Sequence, residues 1–349
     1  MRVKFWGVRG SIPTPLTADK LKSRIAAVVQ RIQPGDLASP ETREAFLSSL
    51  PPYLFGLVGG NTTCVEVRHE DTIIVIDAGS GIREMGLSWL SECGDSPINA
   101  SLLFTHYHWD HLQGFPFFRA AYLPDNTLEI YGNAPDKLSL EDILSGQMQG
   151  AYFPVPLSAM QAKMHFHPIE AEFPIGTVRV KTMELPHPGG CIGYRLETDE
   201  SVFIFATDSE FDQIAVNTGE IQSDFNAPRH YKPEVIEFFR GAHLLTIDCQ
   251  YSDQEYQTQA GWGHNSLATV IDLARQVEPK MLALCHHDPE RSDEAVMQFI
   301  SEARLRIKDL ASSGRISGTP ITFAAREGQR LAVESPAALN EQPWRAHLQ

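Results

Sequence analysis

The sequence predicts a four-layer α/β sandwich, two sheets backed by helices, interrupted by an inserted helical hairpin. Three observations carry that expectation. Short apolar runs such as Ile73-Ile74-Val75-Ile76 and Leu102-Leu103-Phe104 have strand length and stop abruptly at polar residues. Strand and helix alternate from Gly241 to Arg304, whereas closely spaced strands from Cys191 to Ala206 read as an antiparallel hairpin. A chain of 349 residues with 42% hydrophobic content can bury a large core.

The opening strand runs from Arg2 to Val8 and is closed off by Gly10, Pro13 and Pro15. Residues 16–57 then break the strand-rich pattern with two helical stretches, Ala18 to Ile32 and Pro40 to Leu50, divided by Gln33-Pro34-Gly35-Asp36. This insertion suits a lid or a dimer element equally. Strands resume at Thr62 to Arg68 and Ile73 to Asp77, and a helix follows to about Cys93. Further strands are expected at Ala100 to Phe104, Leu128 to Tyr131, Val178 to Met183, Ile192 to Leu196, Val202 to Ala206, Leu244 to Ile247 and Met281 to Leu284. One domain is expected over residues 1–333, with the insertion at 16–57. Residues 334–349 lose periodicity and read as a loosely held tail.

Composition narrows the function classes. The formal charge of -15, from 44 acidic against 29 basic residues, opposes binding of an extended polyanion such as a large nucleic acid. A small anion beside bound cations stays compatible with it. The first eight residues are too short and mixed for a signal peptide, and no run approaches the ~18 apolar residues of a spanning helix. A cytoplasmic protein without membrane contact is expected. Cys64, Cys93, Cys191, Cys249 and Cys285 are scattered, with no Cys-x-x-Cys pair, and read as buried thiols.

The densest chemistry lies in Thr105-His106-Tyr107-His108-Trp109-Asp110-His111, directly after an apolar strand. Imidazoles two residues apart on extended chain share a face, and the turn that follows presents Asp110 and His111 as another donor set. That arrangement suits two divalent cations. Elsewhere Asp77 and Asp208 each end an apolar strand, His187 sits in Pro186-His187-Pro188-Gly189-Gly190, and His286-His287 close the strand Met281 to Leu284. Taken singly, each of these fits capping or turn formation as well as metal binding.

Together, in this order, Asp77, His106 to His111, His187, Asp208 and His286 resemble the metallo-β-lactamase superfamily, over most of the chain from Arg2 to about Val333. The resemblance implies that His106, His108 and His187 bind one metal ion, that Asp110, His111 and His286 bind a second, and that Asp208 bridges them. It also implies that Asp77 stands behind the His-x-His loop and holds it by hydrogen bonds. His286 is taken as the ligand over His287, which is expected to be structural or substrate-facing. Nitrogen and oxygen donors suit Zn2+, with Mn2+ and Fe2+ compatible with the same set.

Gly263-His264-Asn265-Ser266 precedes Leu267, Val270, Ile271 and Ala274, so His264 lies just before a capped helix start, which favours phosphate. The arrangement resembles the phosphodiesterase branch of the superfamily, which includes tRNase Z and the phosphoribosyl cyclic phosphodiesterases. It implies that His264 contacts a scissile phosphate, with Ser266 beside it and Asn61, in Gly59-Gly60-Asn61-Thr62, as a further substrate contact. The chain departs from tRNase Z at Ile247-Asp248-Cys249-Gln250-Tyr251 and carries no Gly- and Lys-rich arm. The expected activity is therefore two-metal hydrolysis of a small phosphodiester, a cyclic nucleotide or cyclic ribose phosphate, with His264 or Asp110 handling the leaving-group proton. The alternatives are tRNA 3′ processing, thioester or lactone hydrolysis of the glyoxalase II type, and a silent metal-stabilised binding protein. Phe115, Phe117, Phe118, Tyr152, Phe153 and Trp262 suit core packing or a wall for a nucleobase. A homodimer is expected from the resemblance.

Overall fold

The computed structural model describes every residue except 56–57, 95, 135–137 and 335–349, so nearly all of the expected tail lies outside the described residues. Among the described residues fourteen strands form two seven-stranded sheets. The first contains β1 (Arg2–Gly7), β2 (Cys64–His69), β3 (Thr72–Ile76), β4 (Asn99–Leu103), β5 (Thr127–Tyr131), β6 (Lys163–His167) and β14 (Arg330–Ala332). The second contains β7 (Glu172–Ile175), β8 (Val178–Leu185), β9 (Cys191–Glu197), β10 (Val202–Ala206), β11 (Leu244–Asp248), β12 (Met281–Cys285) and β13 (Ile321–Ala324).

Their orders are β14-β1-β2-β3-β4-β5-β6 and β13-β12-β11-β10-β9-β8-β7. Each sheet is part parallel and part antiparallel: β3 to β6 and β10 to β13 run parallel, and the remaining neighbours pair antiparallel. The four-layer expectation matches this arrangement. Ile74 and Ile76 of β3 join the core shared with the second sheet, while Val75 between them meets Ile82, Met85 and Trp89 of helix Gly81–Cys93 on the outer face. That alternation is the period of two of an extended strand. Helices Leu267–Val277 and Asp293–Ser312 pack against the second sheet.

The strands missing from the sequence reading are β6, β7, β13 and β14, the four edge strands. Edges carry fewer buried side chains, so their apolar signal is weak: β6 alternates charged and half-buried residues, and β7 contains Pro174. In the insertion, helices Ala18–Val29 and Pro40–Ser49 flank a short turn of helix at Pro34–Leu37. Arg24 pairs with Asp293, which also receives the buried Arg9 guanidinium at 3.1 Å. Leu21, Ile25 and Val29 form an exposed stripe along the first inserted helix.

Register decides where the chemistry collects. Ala206 pairs with Ile247, and Asp248 with Cys285, so β10, β11 and β12 end level with one another and hand over Asp208, Asp248 and His286 at one rim. The carboxyl ends of β3 and β4 deliver Asp77 and Thr105-His106. The rim of parallel strands is where α/β folds bind ligands.

Candidate metal centre

Asp77, Asp208 and His286 each follow a strand end and hold φ of 62°, 44° and 55°. This left-handed region disfavours side chains larger than glycine, and strain of that kind collects at functional sites. Ser11, on the loop after β1, has φ 64° and donates its amide to Asp110 Oδ2 at 2.8 Å.

Two donor groups share Asp208, and a third joins Asp248, His264 and His286. His106, His108, His187 and Asp208 offer atoms within 4.8 Å of one another, and so do Asp110, His111, Asp208 and His286. In the first, His108 Nδ1 lies 3.0 Å from both His106 Nε2 and His187 Nε2. Asp208 Oδ2 stands 3.6 and 3.8 Å from those same two Nε2 atoms. In the second, Asp110 Oδ2 and Asp208 Oδ1 lie 3.2 and 3.3 Å from His111 Nε2 and 3.2 Å each from His286 Nε2. Asp208 thus turns one oxygen to each group.

The far side of each ring fixes its tautomer. His187 Nδ1 donates to the Gly263 carbonyl, His286 Nδ1 to Gln250 Oε1, and His111 Nδ1 to Asp77 Oδ2, at 2.9, 3.0 and 2.8 Å. Asp77 also accepts from the Thr105 amide and hydroxyl, and that hydroxyl oxygen lies 3.0 Å from His106 Nδ1. The inward-facing nitrogens, Nε2 of His106, His111, His187 and His286 and Nδ1 of His108, therefore crowd against one another and against the carboxylates. His111 Nε2 is buried without a hydrogen-bond partner. Divalent cations reconcile such a set, and ligand atoms about 2.0–2.1 Å from a tetrahedral Zn2+ stand roughly 3.3 Å apart, close to the spacing here. Burial also lowers the pKa of His106, His108 and His187, keeping them in the neutral form that binds metal.

Beside the second group, His264 Nδ1 donates to Asp248 Oδ2 at 2.9 Å, and its ring stacks on His286 with centroids 4.8 Å apart. Burial by itself would lower the His264 pKa; the Asp248 carboxylate outweighs it and raises it to about 9. At neutral pH the ring is a proton donor held by a buried acid.

The structure brings Asp77, His106, His108, Asp110, His111, His187, Asp208, His286 and His264 to one place. Two expected substrate contacts lie elsewhere. Ser266 is wholly buried and its hydroxyl caps helix Leu267–Val277 by accepting from the Thr269 amide. The Asn61 amide accepts from the Ser80 hydroxyl and donates to Glu327. The helix start is also closed as a phosphate site, because the amides of Leu267, Ala268 and Thr269 already meet the Tyr251 carbonyl, Asp253 and Ser266. His287 is structural: burial and the nearby Arg9 push its pKa down to about 3, and Nε2 meets the Ala325 carbonyl.

Sequence reasoning missed Asp248, Gln250 and Ser11. The signal for the first two was available, since they follow the apolar run Leu244 to Ile247 just as Asp77 follows its own. Ser11 has no such signal, because its backbone makes the contact. Of the aromatic set, Phe115 and Phe118 are buried in the first sheet's outer core and Phe153 packs half-buried against it, while Phe117, Tyr152 and Trp262 are exposed.

Comparison with known proteins agrees with the fold. A model of the beta-lactamase superfamily domain matches residues 72–287. Ribonuclease Z of Haloarcula marismortui is 20% identical over 277 residues, 70% of this chain and 86% of its own length. Ribonuclease BN of Proteus mirabilis is 30% identical over 127 residues, 32% of this chain and 39% of its own length, so the match spans well under half of that relative. Three solved structures superpose with a TM-score of 0.56. YhfI of Bacillus subtilis is 15% identical, with 95% of this chain and 98% of that one covered, and a diphosphatase from the PhnP family is 14% identical with the same coverage. Human tRNase Z, short form, is 14% identical, with 96% and 100% covered.

Proposed function

The chain belongs to the beta-lactamase superfamily of metal-dependent hydrolases, and we propose that it is a two-metal phosphodiesterase acting on a small anionic substrate. The observation that carries this reading is His264, held by Asp248 against the cluster. Thioester hydrolysis has no need of such a proton donor, whereas a departing phosphodiester alkoxide does. The ribonuclease names of the two relatives point to the same bond.

His106, His108 and His187 would hold one divalent ion and Asp110, His111 and His286 the other, with Asp208 shared. Ions held there would supply polarisation of phosphoryl oxygens and a water whose pKa is lowered towards roughly 7. Asp77, Gln250 and the Gly263 carbonyl keep the ligand nitrogens aimed inward, so the site needs no rearrangement when substrate arrives. His264 carries a proton opposite its Asp248 bond and gives it to the leaving oxygen, and Asp110 offers a second proton route. The charge of -15 favours a cyclic nucleotide or cyclic ribose phosphate over tRNA. The donor set suits Zn2+. The exposed stripe of Leu21, Ile25 and Val29 supports a homodimer through the inserted helix. Among the described residues no helix is long and apolar enough to cross a membrane.

His264→Ala tests the reading. Turnover of bis-p-nitrophenyl phosphate should fall roughly 10²- to 10⁴-fold with both ions still bound. Undiminished turnover would overturn it.

A further inference from the structure

Glu210 is a carboxylate that the proposed reaction does not use, and it is only 2% exposed. Its Oε1 accepts from the Tyr256 hydroxyl and the Gly261 amide, both at 2.7 Å. Its Oε2 accepts from the Gly263 amide at 2.9 Å and from Gln213 Nε2 at 2.8 Å. A buried carboxylate persists only where its oxygens are satisfied, and here two of the four donors are the amides on either side of Trp262. The loop is built around that grip: Gly261 and Gly263 hold φ of 93° and 87°, which glycine adopts without strain.

What the grip presents is the Trp262 side chain, 64% exposed. The next residue along, Gly263, accepts from His187 through its carbonyl, and His264 follows it, so Trp262 stands two residues from the proton donor and one from a ligand's anchor. Trp109, 65% exposed, adjoins His108 of the same donor group. An indole left in water forgoes much of the ~1.5–3 kcal/mol that burying a large apolar side chain supplies. Singly exposed apolar residues need no explanation; one carried on a backbone turn that a dedicated buried acid fixes beside the donor cluster does.

We infer that Trp262, positioned by Glu210, is a stacking platform for a planar heteroaromatic group on the substrate, so that the site takes nucleobase-bearing phosphates in preference to base-free ones. The inference rests on the phosphodiesterase reading for where the phosphate sits. An indole face stacks on any base, so the platform selects for the presence of a base and leaves its identity open. Glu210 is a positioning residue, acting through the loop.

The test is equilibrium binding of adenosine 5′-monophosphate and ribose 5-phosphate to the metal-loaded full chain, measured by calorimetry. Wild type should prefer the nucleotide roughly 5- to 150-fold, the range of base stacking. Trp262→Ala should collapse that ratio towards one, Trp262→Phe should keep most of it, and Glu210→Gln should reduce it. Quenching of tryptophan fluorescence by the nucleotide should fall in Trp262→Ala by more than in Trp109→Ala. Equal affinity in wild type, or a preference that survives Trp262→Ala, overturns the inference. Both probes carry phosphate and neither needs turnover, so the outcome is separate from hydrolysis of bis-p-nitrophenyl phosphate, which decides the parent reading.

Discussion

Replacing Asp77 by Asn changes one atom type at the point where both donor groups are anchored. Asp77 is fully buried and accepts three hydrogen bonds at 2.8 Å, from the Thr105 amide, the Thr105 hydroxyl and His111 Nδ1. An Asn carbonyl can keep the backbone amide, but its NH2 then faces the other two donors. His111 must either lose its partner or move its proton to Nε2, the atom aimed at the second group. Losing one hydrogen bond to a charged acceptor costs about 1.5–3 kcal/mol. At about 1.4 kcal/mol per tenfold, that corresponds to roughly 10- to 100-fold weaker binding of at least one ion, the range seen when such supporting partners are removed. Competition against a calibrated chelator, with metal content measured on the folded variant, reads this directly. Wild-type affinity for both ions in a folded Asp77→Asn protein would refute the claim that Asp77 sets ligand tautomers.

Other consequences follow from the same geometry. Asp248→Asn should lower turnover by less than loss of His264 itself and should move the alkaline limb of the pH profile to lower pH. The carboxylate is what raises the His264 pKa against burial, so without it the donor loses its proton earlier; an unmoved limb contradicts the pairing. Gly263→Ala places a Cβ 2.3 Å from His187 Nδ1 at a φ of +87°, so it should weaken metal binding and cost about 1–2 kcal/mol of stability, read from denaturant titrations. Chelation should lower the melting temperature, since an ion at 100 times its Kd contributes about 2.7 kcal/mol to the folded state. A melting curve indifferent to chelator would contradict a built metal site.

The central strands were legible because each is a short apolar run cut off by a polar residue, and those cut-off points became the site. Asp77, His106, Asp208 and His286 all stand one or a few residues past a strand. The edge strands were not legible, since half-exposed β6 and Pro-containing β7 look like loop. Within the site, what escaped was relation more than identity. Asp248 sat in a stretch that counted against the tRNase Z resemblance, yet the parallel register of β11 with β12 brings it under His264. Ser266 and the helix start failed in the opposite sense: the pattern marked a true cap, and the cap consumed the groups a phosphate would have needed. Glu210 had no local signature, because apart from nearby Gln213 its partners, Tyr256 and the amides of Gly261 and Gly263, lie far along the sequence.

The most direct measurement is hydrolysis of bis-p-nitrophenyl phosphate as metal is added back to stripped protein, with bound metal counted per chain and a thioester assayed in parallel. Phosphodiester turnover should rise until two ions are bound and should exceed thioester turnover throughout. Full activity with one ion or none, or a preference for the thioester, would contradict a two-metal phosphodiesterase.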